Sequence, residues 1–182
     1  MKIGYRCTPN IGSAISAHNS KLLEPPKKNQ QKNCNCDNEE DCPVQGNCLE
    51  KEVIYRATVT EESGEKHTYT GLTANSFKNR WGGHKYTFSN EQTNQTTLSS
   101  LTHELENNNI NFEIIWELID RARTFNPVTG ICALCTREKY LIAFDPNGAT
   151  LNKRSELYSS CRHKEKMLLI KKKRKKRKIA PD

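Results

Sequence analysis

The chain has 182 residues, only 34% of them hydrophobic, and a formal net charge of +8, so it has room for one modest domain with tails. It contains neither an apolar run of membrane-spanning length nor the apolar core of a secretion signal. We therefore expect a protein of the cell interior with no membrane partner. Its eight cysteines are then interpreted as thiols or metal ligands rather than disulfides.

The first fifty residues divide into two parts. Residues 1–32 have little hydrophobic periodicity and include Pro25-Pro26 before a polar stretch, so we predict a flexible segment. Residues 33–50 form a dense cysteine segment that contains Cys34, Cys36, Cys42 and Cys48. Four thiolates at this spacing could close a tetrahedral zinc site and form a small knuckle ahead of a domain at residues 51–168. The alternative is a set of reduced or loosely paired thiols in a flexible lead-in.

A β-hairpin is predicted next. Residues 53–59 alternate in the manner of a strand, and residues 67–72 form a second short run that is rich in Thr and Tyr. The polar turn between them contains Gly64. Two strands joined by so short a loop should pair antiparallel.

The hairpin leads into a predicted helix that starts near Ser76, with Thr73 and Asn75 as candidate N-caps. Four residues at helical spacing form one inward stripe: Phe77, Trp81, His84 and Phe88. Because Arg80 and His84 are four residues apart, we expect them to share a face of this helix.

A second helix and a third strand follow. Thr96 or Thr97 can cap the helix, and its predicted buried face consists of Leu98, Leu101 and Leu105. In the strand, residues 112–119, the inward residues are Phe112, Ile114, Trp116 and Leu118, and Glu113 and Glu117 point outward. The sequence thus predicts an α+β domain: a three-stranded antiparallel sheet flanked by helices.

The predicted third helix, residues 131–144, carries a carboxylate in its apolar stripe. Glu138 lies at helical spacing from Leu134, Leu141 and Ile142. Carboxylates are rarely buried without a partner, because desolvating the charge is costly. Either Glu138 pairs with a cation in the core, for which Arg80 is the simplest choice, or it binds a metal at the base of a cleft. Spacing alone does not choose between these interpretations.

A second group of metal-ligand types surrounds this helix. Cys132 and Cys135 open it, and Cys161 and His163 lie further along the chain. Together they form a Cys3His set of the kind that binds structural zinc, which would clamp the C-terminal segment onto the helix. The alternative is that the Cys-x-x-Cys pair packs as small apolar residues.

Five short elements, taken in order, resemble the GIY-YIG nuclease superfamily. They are Val53-Ile54-Tyr55, Tyr69-Thr70-Gly71, Arg80-x-x-x-His84, Glu138 and Asn152. The cysteine segment before the hairpin and the Cys-x-x-Cys before the glutamate make the endonuclease module of Penelope-like retroelements the closer resemblance. Val53 and Thr70 replace the first glycine and the isoleucine of the family pattern, and neither change removes a tyrosine.

The resemblance implies a metal-dependent DNA endonuclease, a nickase that uses Mg2+ or Mn2+. The implied catalytic residues are Tyr55, Tyr69, Arg80, His84, Glu138 and Asn152. The first tyrosine would act as general base or in a proton relay, the arginine would hold the scissile phosphate, and the glutamate would hold the metal. The second tyrosine and the histidine would position water and phosphate, and the asparagine would organise the site.

The basic excess of the chain lies in its C-terminal tail, residues 169–182. Eight of the 29 Lys and Arg residues form one run: Lys171, Lys172, Lys173, Arg174, Lys175, Lys176, Arg177 and Lys178. The remaining 21 balance 21 Asp and Glu, so the tail should supply most of the non-specific DNA affinity. Such runs are typical of nuclear localisation or nucleic-acid contacts, and the alternative is a solvated tail.

Two other kinds of function stay open at this point. One is a catalytically inactive DNA-binding module, and the other is a zinc-stabilised nuclear interaction protein whose basic tail imports it. The resemblance itself implies target-site nicking that primes reverse transcription. The partner would then be a reverse transcriptase region that this chain lacks.

Overall fold

The computed structural model describes residues 11–23, 33–38, 40–90, 96–145 and 148–163. Its helices are α1 Ile11–Leu23, α2 Phe77–Ser89, α3 Thr97–Asn107, α4 Ala133–Phe144 and α5 Arg154–Tyr158. Its strands are β1 Val53–Glu61, β2 Lys66–Thr73, β3 Phe112–Arg121, β4 Phe125–Asn126 and β5 Ile131–Cys132. Within these described ranges, every helix is too short or too polar to cross a bilayer.

The three long strands form one antiparallel sheet in the order β2-β1-β3. The turn between β1 and β2 contains Gly64 at a φ of 88°, a left-handed conformation that glycine adopts without steric cost. In the resulting register, Tyr55 lies opposite Gly71 on one side and Leu118 on the other. The predicted α+β architecture with a three-stranded antiparallel sheet is therefore confirmed.

Strand β1 is buried on both faces. On one face, Tyr55 and Val59 pack in the main core with Phe77 of α2 and Leu98 of α3. On the other face, Ile54 forms a smaller core with Cys132 and Leu134 at the start of α4. The inward alternation predicted for β3 is also present, because the even-numbered residues from Phe112 to Leu118 are the less exposed ones. The sheet thus lies between α2 and α3 on one side and α4 on the other.

The start of α3 agrees with its sequence signal. Thr96 is the N-cap, and its hydroxyl accepts a hydrogen bond from the Ser99 amide while the Ser99 hydroxyl accepts one from the Thr96 amide. This reciprocal arrangement satisfies two amides that the helix itself leaves free. Leu98 and Leu105 of the predicted apolar face are buried.

The predicted caps of α2 are wrong. The N-cap is Ser76, and its side chain makes no capping bond. Thr73 instead ends β2, and its hydroxyl donates to the Asn75 carbonyl. The first amides of α2 donate to carbonyls of the cysteine segment, so a tertiary contact does what a local side chain was expected to do.

One further expectation needs correction. The third predicted helix begins at Ala133 rather than Ile131, because Ile131 and Cys132 pair with β4 as a short hairpin. In the N-terminal segment for which flexibility was predicted, residues 11–23 form α1. The basic tail, residues 169–182, lies outside the described residues.

Candidate functional site

The hydroxyl of Tyr55 is the centre of a buried hydrogen-bonded group. Tyr55 is fully buried on β1, Arg80 Nε donates to its oxygen at 2.8 Å, and His84 Nε2 lies 2.8 Å from the same oxygen. Burial and the charge of Arg80 lower the pKa of His84 to about 3, so its imidazole is neutral at physiological pH. We therefore assign Tyr55 as the donor to Nε2. As predicted, Arg80 and His84 share one face of α2.

The glycine opposite Tyr55 leaves room for this group. A Cβ atom built on Gly71 would lie 2.5 Å from the Tyr55 hydroxyl oxygen and 2.7 Å from its Cζ. No side chain tolerates such distances, so a tyrosine at position 55 with this orientation requires glycine at position 71. The Tyr-x-Gly of β2 thus has a steric cause in the structure.

Tyr69 lies on the same face of the sheet, beside His84, with the two ring centroids 6.0 Å apart. Burial raises the pKa of both Tyr55 and Tyr69, and the charge of Arg80 opposes the shift in each case. Arg80 Nε donates to the Tyr55 hydroxyl, and its charge also acts on Tyr69, so one guanidinium serves both tyrosines. The raised pKa values mean that both phenols are protonated at neutral pH.

Glu138 lies half-buried on α4, next to β2. Burial is the main cause that raises its pKa to about 7, and the charge of Glu156 adds to the shift. The charges of Lys139 and Arg80 and a hydrogen bond from the Leu72 amide offset it only in part. Within the described part of the chain, Glu138 forms no ion pair. The core pair of Glu138 with Arg80, one of the two interpretations, is therefore not formed.

Asn152 joins the C-terminal segment to β2, which is an edge strand of the sheet. Its Oδ1 accepts from the Thr70 amide and its Nδ2 donates to the Thr70 carbonyl, each at 2.8 Å. The amide side chain thus pairs with the strand as a neighbouring backbone would. The Thr70 hydroxyl, at the position where the family pattern has isoleucine, donates to the Gly148 carbonyl at 2.6 Å. Asn152 therefore fixes the segment before α5 to the edge of the sheet.

The sequence did not single out Glu156, although the structure places it at this site. Asn152 Nδ2 also donates to Glu156 Oε2, at 2.5 Å. The charge of Glu156 acts on both Glu138 and Tyr69. The available signal was its position four residues after Asn152, which lies just before α5 and so close to the first turn of that helix.

The four predicted cysteines of the first group come together. The sulfur atoms of Cys34, Cys36, Cys42 and Cys48 all lie within 4.8 Å of one another. The Sγ–Sγ distances from Cys48 to Cys34 and Cys36 are 3.5 and 3.7 Å. A disulfide would need about 2.05 Å, whereas a tetrahedral site with zinc–sulfur bonds of about 2.3 Å has edges of about 3.8 Å. None of these four cysteines forms a disulfide, and this group could hold a metal ion such as zinc.

This first cysteine group is built into the start of α2. The amides of Phe77 and Lys78 donate to the carbonyls of Glu50 and Cys48 at 2.9 and 2.7 Å. Cys42 and Cys48 are buried and belong to the main core. The knuckle is therefore not a separate lead-in: it fixes the helix that carries Arg80.

The second group also comes together, around α4. His163 Nδ1 lies 3.6, 3.3 and 3.7 Å from the sulfur atoms of Cys132, Cys135 and Cys161. Tetrahedral zinc with sulfur and nitrogen ligands has such edges at about 3.6 Å. Cys132 is the N-cap residue of α4, and His163 follows α5. This group could also hold a metal ion such as zinc, which would join the two segments that carry Glu138 and Glu156.

Comparison with known proteins returned no relative. No protein-family model, curated protein or solved structure matches the chain at a significant level. What the site can do is therefore inferred from its own residues.

Proposed function

We propose that the chain is a GIY-YIG-type endonuclease that uses a divalent metal ion to hydrolyse one strand of DNA. The observation that carries this proposal is a pair of uncompensated charges. Arg80 and Glu138 are both half-buried and close enough to influence one another, yet no ion pair between them, or to any other described residue, lies within 4 Å. Because these two side chains do not pair with each other, Arg80 suits an anion and Glu138 suits a cation.

The anion that suits Arg80 is a phosphate of the DNA backbone. The buried Tyr55 hydroxyl accepts from Nε and holds the guanidinium on one side, so its orientation is set before a substrate binds. The planar guanidinium has five N–H donors, and those not used by Tyr55 can bond phosphate oxygens. A fixed cation here would stabilise the charge that develops on the phosphate during hydrolysis.

The cation that suits Glu138 is a divalent metal ion. A carboxylate without a protein cation fits Mg2+ or Mn2+, which bind with one or two carboxylates, several waters and a phosphate oxygen. When bound, such an ion polarises the phosphate and supports the leaving oxygen. The raised pKa of Glu138 means that proton release accompanies metal binding near neutral pH.

Within this proposal, Tyr55 positions Arg80 and belongs to a proton relay. Its raised pKa and full burial argue against direct removal of a proton from water. Its hydroxyl accepts from Arg80 Nε and donates to neutral His84, so it couples two residues of α2 to the sheet. The charges of Arg80, Glu156 and Glu138 all act on Tyr69, which would orient water and phosphate.

The wider biological setting is also proposed from sequence. Two cysteine groups on either side of the nuclease core support kinship with the endonuclease module of Penelope-like retroelements. On this view, the basic run at residues 171–178 contacts DNA and directs the protein to the nucleus. A reverse transcriptase region would be the functional partner.

The test is conversion of supercoiled plasmid to open circle by purified protein with Mg2+ or Mn2+. We expect nicking by the parent and a loss of at least 100-fold in Glu138→Gln and in Arg80→Ala. Lys85→Ala serves as the matched control, because Lys85 is an exposed cation on the same helix that packs over Trp81. DNA binding without nicking in the folded parent would favour the inactive DNA-binding module. Zinc content without DNA affinity would favour the interaction protein.

A further inference from the structure

We propose that the exposed face of α4 and α5 binds an unpaired strand of DNA, with bases stacked on aromatic side chains and phosphates bonded to the cations beside them. The inference rests on the proposed function in taking DNA as the ligand, and it adds the form of DNA that this face holds. The stacking face consists of Arg137, Tyr140, Phe144, Arg154 and Tyr158.

The first observation is a group of aromatic rings in solvent. Tyr140 and Phe144 pack against each other on α4, with ring centroids 5.2 Å apart, yet they remain 56% and 72% exposed. Tyr158 on α5 is 86% exposed. Among the described residues, three of the four exposed aromatic side chains therefore lie on these two helices. Exposed apolar surface that is grouped in this way, rather than scattered, marks a binding surface.

The second observation is that the aromatic residues of each helix have an arginine on their own side. On α4, Arg137, Tyr140 and Phe144 are at positions i, i+3 and i+7, so they share one face. On α5, Arg154 and Tyr158 are four residues apart, and both are exposed. Each helix thus presents an aromatic surface next to a positive charge.

The two helices are joined beside these residues. Lys139 Nζ donates to the Ser159 carbonyl at 2.6 Å, and these two residues are the sequence neighbours of Tyr140 and Tyr158. The basic run at residues 171–178 begins eight residues after His163, whose ring lies against the start of α4. Its first residue is therefore within about 30 Å of His163, so the run can reach phosphates of the same strand.

The third observation is the sign of the charge. Residues 121–163 contain seven Lys and Arg against three Asp and Glu, whereas residues 1–120 contain 12 against 16. In the described part of the first range, the three acidic side chains are half-buried and every exposed charged side chain is basic. These cations are Arg121, Arg123, Arg137, Lys153, Arg154 and Arg162. A second copy of the chain would bring like charges together at this face, so the charge favours a polyanion over self-association.

An unpaired strand fits the stacking face better than a duplex does. In a duplex, the faces of each base are covered by its neighbours in the stack, whereas an unpaired strand presents them to aromatic side chains. The arginines beside the rings match the phosphates between such bases. Strand ends made by the proposed nicking are also the places where a duplex opens first.

The experiment is fluorescence anisotropy of labelled oligo(dT), and of a labelled duplex of the same length, titrated with the full chain. We expect Tyr140→Ala and Phe144→Ala each to weaken oligo(dT) binding by about 5- to 100-fold, the loss of one stacked base. Duplex affinity should stay at the parental value, because the basic run contributes to it equally in parent and variant. Tyr140→Trp should retain oligo(dT) affinity, since tryptophan also stacks. Tyr86→Ala, at an exposed tyrosine of α2, is the matched control and should bind as the parent does.

The phosphate contact has its own test. Arg154→Gln should lower the log–log salt slope of oligo(dT) binding by about 0.7, the value for one phosphate of a single strand. Because Arg154 is exposed, the unfolding temperature should not change. An unchanged slope would contradict the assigned phosphate contact.

Three results would overturn the inference. One is parental oligo(dT) affinity in both Tyr140→Ala and Phe144→Ala, and another is an equal loss of oligo(dT) and duplex affinity in these variants. The third is a dimeric parent that becomes monomeric in Tyr140→Ala with unchanged oligo(dT) affinity, which would identify the face as an interface between two copies. Tighter binding of oligo(U) RNA than of oligo(dT) by the parent would overturn the assignment to DNA.

This readout is independent of nuclease activity. If the parent binds oligo(dT) through these residues but does not nick plasmid, the proposed function fails and the stacking face stands. If the parent nicks plasmid and both alanine variants bind oligo(dT) and nick as well as the parent, the proposed function stands and the inference about the stacking face fails.

Discussion

The substitution Gly71→Ala should damage the site without touching any ionisable residue. Gly71 lies on β2 directly opposite Tyr55. The added methyl group would lie 2.5 Å from the tyrosine oxygen, 2.7 Å from its Cζ and 3.0 Å from Cε1 of Tyr69. Ordinary contact begins near 3.4 Å, so the Tyr55 hydroxyl would have to move by about 1 Å.

The magnitude follows from the packing around Tyr55. Because the ring is fully buried and packs against Phe77 and Trp116, overpacking should cost about 1–3 kcal/mol of the free energy of unfolding. The displaced hydroxyl would also lose its 2.8 Å contacts with Arg80 and His84. A misplacement of about 1 Å at a reacting group costs about 100-fold in rate. We therefore expect both lower stability and a loss of nicking of that order.

The assays are urea unfolding and plasmid nicking, each compared with two glycine controls. Gly82 and Gly83 lie on α2, and a Cβ atom at either position would meet no atom within 4 Å. Alanine there should preserve activity and stabilise the protein by about 0.5–1 kcal/mol, because alanine favours helix over glycine. Gly71→Ala with parental stability and activity would contradict the placement of the Tyr55 hydroxyl on which the site depends.

Two further predictions follow from the charges and thiols of the site. The folded pKa of Glu138, about 7, lies above its ordinary value of 4.5, so the folded metal-free protein binds the proton more tightly than the unfolded chain. Its contribution to stability is therefore full below pH 4.5 and is lost as the pH rises to 7, by about 1–3 kcal/mol for this half-buried group. The free energy of unfolding in urea should be measured for the parent and for Glu138→Gln across this pH range, and the difference between them should fall as the pH rises. Taking the difference removes the opposite effect of buried His84. A difference that does not change with pH would contradict the pKa shift of Glu138. Metal analysis should find two zinc ions per chain, of which Cys48→Ser loses one and Cys135→Ser loses the other. The control Lys85→Ala, at an exposed residue, should keep both. Loss of either zinc ion should lower the unfolding temperature.

Much of the fold could be predicted from the sequence, because its signals are local. Alternation of apolar and polar residues over 53–59 and 112–119 indicates strands, and the spacing of Phe77, Trp81 and His84 indicates a helix face. Both signals are independent of the rest of the chain. Both cysteine groups were also recognisable, because zinc ligands in small sites are of few types. Local signals were less reliable at the ends of elements, where the start of α2 depends on carbonyls from the distant cysteine segment.

The charges of the site were decided only by the tertiary structure. The sequence left open whether Glu138 pairs with Arg80, and the answer depends on Tyr55 of a distant strand, whose hydroxyl binds the guanidinium instead. Glu156 could not be connected with Glu138 because no periodicity relates residues on two separate helices. The sequence determined which residues are candidates for the site, since composition and spacing are properties of the chain. Only folding determined which charges remain uncompensated, since that depends on long-range contacts that bring some partners together and keep others apart.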